Sequence, residues 1–251
     1  MQTIRCFDRE SECSRLSSRG FGVRLPVGRI VLLASVAVLA SGASLASAVT
    51  LTTLVHFNHS PVGLNWGSAR PFGGLTVSGN TLYGTTYFGG PGNFGTVFSV
   101  PTTGGTPTRV ASFQGRQSGS TFVTSLGQKP HGWLTLSGNT LYGTTQGHTW
   151  FSPSNEGTMF SVPVTGGTPT ILEVGAEFTS SWPRPVIVSG TNIYRVGVGT
   201  VFSVPVTGGP RTTLATFSDG GGAWHLTLSG NTLYGVAQSG GASGVSTVFS
   251  V

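Results

Sequence analysis

Charge is scarce in this chain: Asp, Glu, Lys and Arg together make up 8% of its 251 residues. Cysteine is scarcer still, with only Cys6 and Cys13, and both lie in an N-terminal stretch that reads as a leader. An apolar run from Ile30 to Leu45 follows Arg24 and Arg29 and ends in Ala46-Ser47-Ala48. That is the pattern of a secretory signal, with cleavage expected after Ala48. The run is short and rich in small residues, so no membrane span is expected after cleavage. Residues 1–22 are long and polar for a signal; initiation near Val23 or Val27 would account for them as a start-site artefact. The mature chain therefore has no disulfide, no thiolate nucleophile and no Cys-based metal site.

Removing the leader also removes six of the 13 basic residues. Seven basic residues remain against four acids (Glu156, Glu173, Glu177, Asp219), a net of +3. Nucleic-acid binding calls for clustered Lys and Arg, so it is not expected. Helix-forming runs are missing beyond residue 50. Signatures for a serine elbow, a phosphate loop, a zincin helix or a calcium loop are missing too.

What is present is glycine, 40 residues of it, with Thr, Ser, Val and Phe arranged in a repeat. SGNTLYGTT at Ser78–Thr86 recurs at Ser137–Thr145, then as SGTNIYRVG at Ser189–Gly197 and SGNTLYGVA at Ser229–Ala237. GTVFSVP at Gly95–Pro101 recurs as GTMFSVP at Gly157–Pro163 and GTVFSVP at Gly199–Pro205, and ends as STVFSV at Ser246–Val251. TGGTPTRVASF, TGGTPTILEV and TGGPRTTLATF follow the first three copies. Each copy reads as four short strands with period-two alternation. Ser-Gly-Asn joins the first two strands as a tight turn, and a Thr-Gly-Gly turn joins the last two. The glycine after Tyr in copies one, two and four (Gly84, Gly143, Gly235) reads as room for the neighbouring blade's aromatic ring.

The fourth copy stops after its third strand, and Leu51–Phe57 resembles the missing fourth. The expected fold is all-β: a small propeller of four blades, each of four antiparallel strands. The N-terminal strand would close it by pairing with the C-terminal blade. The domain is expected at 49–251, with closing strand 51–57 and blades near 74–113, 133–174, 186–217 and 225–251.

LYGTT, a Gly-rich stretch, GTVFSVP and the TPT-led strand together resemble the GloVer-type tandem repeat of secreted bacterial choice-of-anchor proteins. The resemblance covers Leu51 to Val251 and implies a propeller-like fold with no defined molecular activity. Copy three departs from it at Ile193–Gly197. Members usually carry more repeats, and some end in a sorting segment; neither is seen here.

Topology sorts the loops onto two faces. Turns one-to-two and three-to-four are short and alike. The loops on the other face, 58–74, 114–132, 146–156 and 238–245, are long and differ. Binding residues favour variable loops on a rigid scaffold. Trp66, Trp133, Trp150, Trp182 and Trp224 fall on or beside that face, with His131, His225 and Arg184. These are the candidate ligand-binding residues, with no catalytic residue, metal or cofactor assigned. The expected function is a non-catalytic extracellular or cell-surface binding or scaffold module, monomeric, its ligand a glycan or a protein. Two alternatives are a polysaccharide-active enzyme using Glu177 and Asp219, and a structural protein associating through blade edges.

Overall fold

The computed structural model describes residues 50–57, 69–114, 116–118, 121–123, 127–130, 132–146, 157–175, 185–217, 222–238 and 245–251. They belong to one compact unit, Thr50–Val251. All of their regular structure is β-strand.

Blade one is β1 (Thr76–Ser78), β2 (Thr81–Thr86), β3 (Thr96–Pro101) and β4 (Thr108–Ser112), hydrogen-bonded in that order. Two further strands, β5 (Arg116–Ser118) and β6 (Thr121–Val123), pair only with each other. Blade two comprises β7 (Gln128–Pro130), β8 (Thr135–Ser137), β9 (Thr140–Gln146), β10 (Gly157–Pro163) and β11 (Thr170–Gly175); β7 and β8 both pair with β9. The span 114–132, read above as loop, thus holds three strands. β7 is hidden in sequence because Gln-Lys-Pro does not alternate, and Lys129 has a left-handed φ of 55°. Blade three is β12 (Ile187–Ser189), β13 (Asn192–Val196), β14 (Thr200–Pro205) and β15 (Thr212–Thr216). Blade four is β16 (Ala223–Ser229), β17 (Thr232–Ala237) and β18 (Thr247–Ser250).

Every neighbouring pair is antiparallel, as the tight turns require. The Gly of each first turn sits at φ 53–58° (Gly79, Gly138, Gly190, Gly230), where a Cβ would be strained.

The core lies between blades, not within them. Tyr83, Val97, Val110 and Phe113 of blade one meet Leu134, Leu141, Phe160 and Val162 of blade two. The same positions recur at the second junction, where Tyr142, Met159 and Leu172 meet Ile193, Phe202 and Val204. They recur again between blades three and four. The glycine after Tyr makes room for a ring, but the ring is its own blade's. Gly84 lies opposite Phe98, and a Cβ on it would stand 2.6 Å from that ring. Gly143 is likewise 2.7 Å from Phe160, and Gly235 is crowded by Phe249. Seated over glycine, each Phe meets the Phe that follows the preceding blade's fourth strand. Phe113–Phe160 and Phe217–Phe249 are both edge-to-face at 4.9 Å.

Residues 51–57 correct the expected closure in one respect. β18 is paired with β17, and no ladder to 51–57 is formed among the described residues. The segment lies instead on blade one, where a preceding blade's fourth strand would lie. Phe57 meets Phe98 edge-to-face at 4.9 Å, and Leu54, Val55 and Phe57 pack on Leu82, Phe98 and Val100. The Gly105 N–H donates to the Leu54 carbonyl at 3.0 Å, as Gly167 donates to Val110 and Gly209 to Leu172. Apolar burial on blade one, not pairing with β18, fixes where the segment sits.

Candidate functional site

Of the tryptophans proposed above, Trp133 and Trp224 lie within the described residues; Trp66, Trp150 and Trp182 lie outside them, as do His131 and Arg184. Trp133 sits just before β8, where the variable loop enters blade two, and is 55% exposed. Its backbone is held on both sides. Thr85 Oγ1 donates to the Gly132 carbonyl at 3.2 Å, and Thr76 Oγ1 donates to the Leu134 carbonyl. The indole lies on Gly74 of blade one; a Cβ there would fall 2.8 Å from Trp133 Cε2. A large ring is thereby presented on a backbone that cannot turn away.

Sequence reasoning missed a second group of residues where blades one and two meet. Arg70 stacks its guanidinium over the Phe88 ring at 5.6 Å, and Lys129 places its ammonium 5.3 Å from the Tyr87 ring. The Tyr87 hydroxyl donates to Gln146 Oε1 at 3.0 Å, tying blade one's loop to blade two. Phe72, exposed, is tilted against Tyr87 at 6.5 Å. Lys129 is held in place by its own N–H, which donates to the Phe94 carbonyl at 2.7 Å. The available signal was the aromatic pair Tyr87-Phe88 directly after LYGTT, at the start of a variable loop. Cations over aromatic faces keep the rings oriented while leaving hydrogen-bond donors at the rim. Aromatic bodies with polar rims suit ligands that are apolar on one face and hydroxylated or amide-bearing at the edge.

Trp224 and His225 do not join this cluster. Trp224 lies within β16, at a bulge between Ala223 and His225, and not in a loop. His225 faces away from blade three, with Thr227, Tyr234, Val236 and Val248. Among the described residues no group of three His, Cys, Asp or Glu is placed to hold a metal. No helix there is long and apolar enough to cross a membrane. Glu177 and Asp219, the pair considered for glycoside hydrolysis, lie outside the described residues.

Glu173 is the described acid, and its surroundings are structural. It sits in β11 at the blade two–three junction, with Oε1 3.7 Å from Arg211 Nε and Oε2 buried without a hydrogen bond. Burial raises its pKa; Arg211 and then Arg195 oppose the rise without cancelling it. A carboxyl with a raised native pKa binds protons more tightly folded than unfolded. Its ionisation therefore costs stability above the native pKa, and that cost disappears as pH falls towards the unfolded value. Glu173→Gln is expected to melt above the wild type at neutral pH. The gap should narrow as pH drops to about 4.5, the ordinary value for a Glu carboxyl. A pH series of thermal melts on both proteins checks this.

No protein-family model matches the chain, and no curated protein matches it. Solved structures do. The crystal structure of BamB from Moraxella catarrhalis is 19% identical with a TM-score of 0.41, covering 70% of this chain and 43% of that one. The computationally designed Ika4 protein is 14% identical with a TM-score of 0.45, covering 80% of this chain and 99% of its own. The GH43 BlXynB protein from Bacillus licheniformis is 13% identical with a TM-score of 0.37, covering 76% and 40%. The chain thus spans less than half the length of BamB. With TM-scores below 0.5 these likenesses carry no argument, and the assignment of the propeller fold stands on the repeated sheets themselves.

Proposed function

We propose that this chain is a secreted, non-catalytic binding or scaffold module of the GloVer type, which holds a glycan or a protein segment on its variable loop face. The observation that carries the reading is Trp133. Its ring is more than half exposed while the peptide on either side is tied to the neighbouring blade. Exposed apolar area held this rigidly loses little side-chain freedom on binding, which is how aromatic anchors come to dominate interfaces. Phe72, Tyr87, Arg70 and Lys129 extend the surface with a second aromatic group and two cations. Anionic or hydroxylated ligands complement that charge.

Glycan-array and pull-down binding with the secreted protein test the reading. Trp133→Ala with Phe72→Ala is expected to weaken capture at least about tenfold, roughly 1.4 kcal/mol. Trp224→Ala, away from the cluster, should leave it intact. Capture at full strength by the Trp133/Phe72 double variant would overturn this site.

A further inference from the structure

The two ends of the blade series are unlike its interior. On blade four Tyr234 and Val248 are 44% and 77% exposed, whereas their counterparts Tyr83, Val97, Tyr142, Met159 and Val201 are buried. On blade one Leu75 is 53% exposed and Val77 is exposed too, whereas Leu134, Val186 and Leu226, in the place of Leu75, are buried. These are the two halves of the interface that the chain forms three times internally. Each half also has what the other lacks. Blade one already carries residues 51–57 in the position of a preceding fourth strand. Among the described residues blade four has three strands, and β18 has no partner strand on its outer side. A groove of about 380 Å³ lies on that outer face.

We propose that two copies of this chain associate head to tail, the outer face of blade four in one copy seating on blade one of the other. Residues 51–57 of the second copy then lie beside β18 and complete the sheet of blade four. The surface is continuous in chemistry with an established interface. The inter-blade threonines show the register. Thr76 donates to the Leu134 carbonyl and Thr135 Oγ1 to the Val186 carbonyl at 2.5 Å, each reaching the next blade's inner strand. Thr227, exposed on blade four, is the next donor in that series, and the Leu75 carbonyl of the second copy is its acceptor. A second copy is the occupant because, among the described residues, both faces stay exposed at the two ends of the series. A head-to-tail contact must either close or polymerise. Two such copies close as about eight blades, at the upper end of the usual propeller range, and a third copy would exceed it. Closure also removes an exposed strand edge that would otherwise recruit strands indiscriminately. The monomer expected from sequence gives way here to a dimer, and this inference does not depend on the loop-face ligand.

Light scattering after size exclusion of the secreted protein, at tens of micromolar, tests it. The expected mass is twice that of one chain. Val248→Glu and Val77→Glu each place a charge in one half of the interface, and each alone is expected to run as a monomer. Mixed in equal amounts they should regain a dimer, because each retains the face that the other has lost. A wild type at single-chain mass overturns the proposal, as do single variants that remain dimeric or a mixture that stays monomeric. If either glutamate prevents folding, Thr227→Val replaces it: a dissociation midpoint shifted about tenfold upwards supports the proposal, and an unchanged midpoint overturns it.

Discussion

Phe160→Ala is expected to lower unfolding stability by about 3–5 kcal/mol, with the midpoint of urea denaturation falling accordingly. Phe160 is wholly buried at the first blade junction, over Gly143 and edge-to-face with Phe113. Three losses combine: transfer of the ring, the cavity left between two sheets, and the aromatic pair itself. The site cannot collapse easily, because the cross-strand glycine supplies no side chain to fill it. Domains of this kind are stable by only about 5–15 kcal/mol, so one such substitution removes a large share. Phe249, the same position in blade four, is only partly buried, and Phe249→Ala should cost measurably less. Equal costs at the two positions would contradict the burial difference on which this rests.

The second large effect concerns Arg195. Register aligns it with Gly84 and Gly143: Arg195 pairs with Phe202 as Gly84 pairs with Phe98 and Gly143 with Phe160. The fourth strand on the other side of that junction ends differently as well. Gly175 lies opposite Gly157, where Phe113 donates to Gly95 and Phe217 to Gly199. One junction has thus exchanged a Phe for a glycine on one blade and a glycine for an arginine on the next. Arg195 is buried and lies near enough to Glu173 to draw its pKa down. Arg195→Gly removes side-chain volume from the junction and one of the two cations near a buried carboxylate. Relief of the arginine's own desolvation offsets part of this, but the cavity left by truncating a long buried side chain between two sheets costs about 2–5 kcal/mol. A loss near 3 kcal/mol is expected. Gly175→Phe alone is expected to destabilise by overpacking. Added to Arg195→Gly, it should recover stability by restoring the Phe-over-Gly pairing of the other junctions. A double-mutant cycle by urea denaturation reads the coupling directly; additive losses would refute the exchange.

Copy boundaries and turn chemistry were legible in the sequence because each copy repeats its own pattern. Ser-Gly-Asn forecast a left-handed glycine, and β2, β9 and β17 lie where LYG places them. The reason for that glycine was half legible. A ring had to be nearby, but whether it came from across the strand or across the junction is decided by register, which sequence similarity among copies does not carry. β7 was not legible, since one bulged pairing beside Gln146 and a hydrogen bond to Phe94 hold it without any hydrophobic alternation. Of the proposed site, the sequence named Trp133, from its place at the rim of the variable loop face. Phe72, Tyr87 and Lys129 were not named, because their grouping depends on two blades meeting. The placement of Leu51–Phe57 illustrates the same limit: likeness to TTLATF pointed to the place of a fourth strand, which it occupies against blade one without forming a ladder.

That placement bears on the order of events during synthesis. Had the leading segment needed β18 as its partner, nearly the whole chain would have had to be made before it found shelter. By settling on blade one it has Leu54, Val55 and Phe57 partly covered by residues that leave the ribosome soon afterwards. Every sheet then forms from strands close together in the chain, which favours rapid, stepwise acquisition of structure. The one distant pairing is left until last, and in the proposed dimer another molecule supplies the strand that β18 needs.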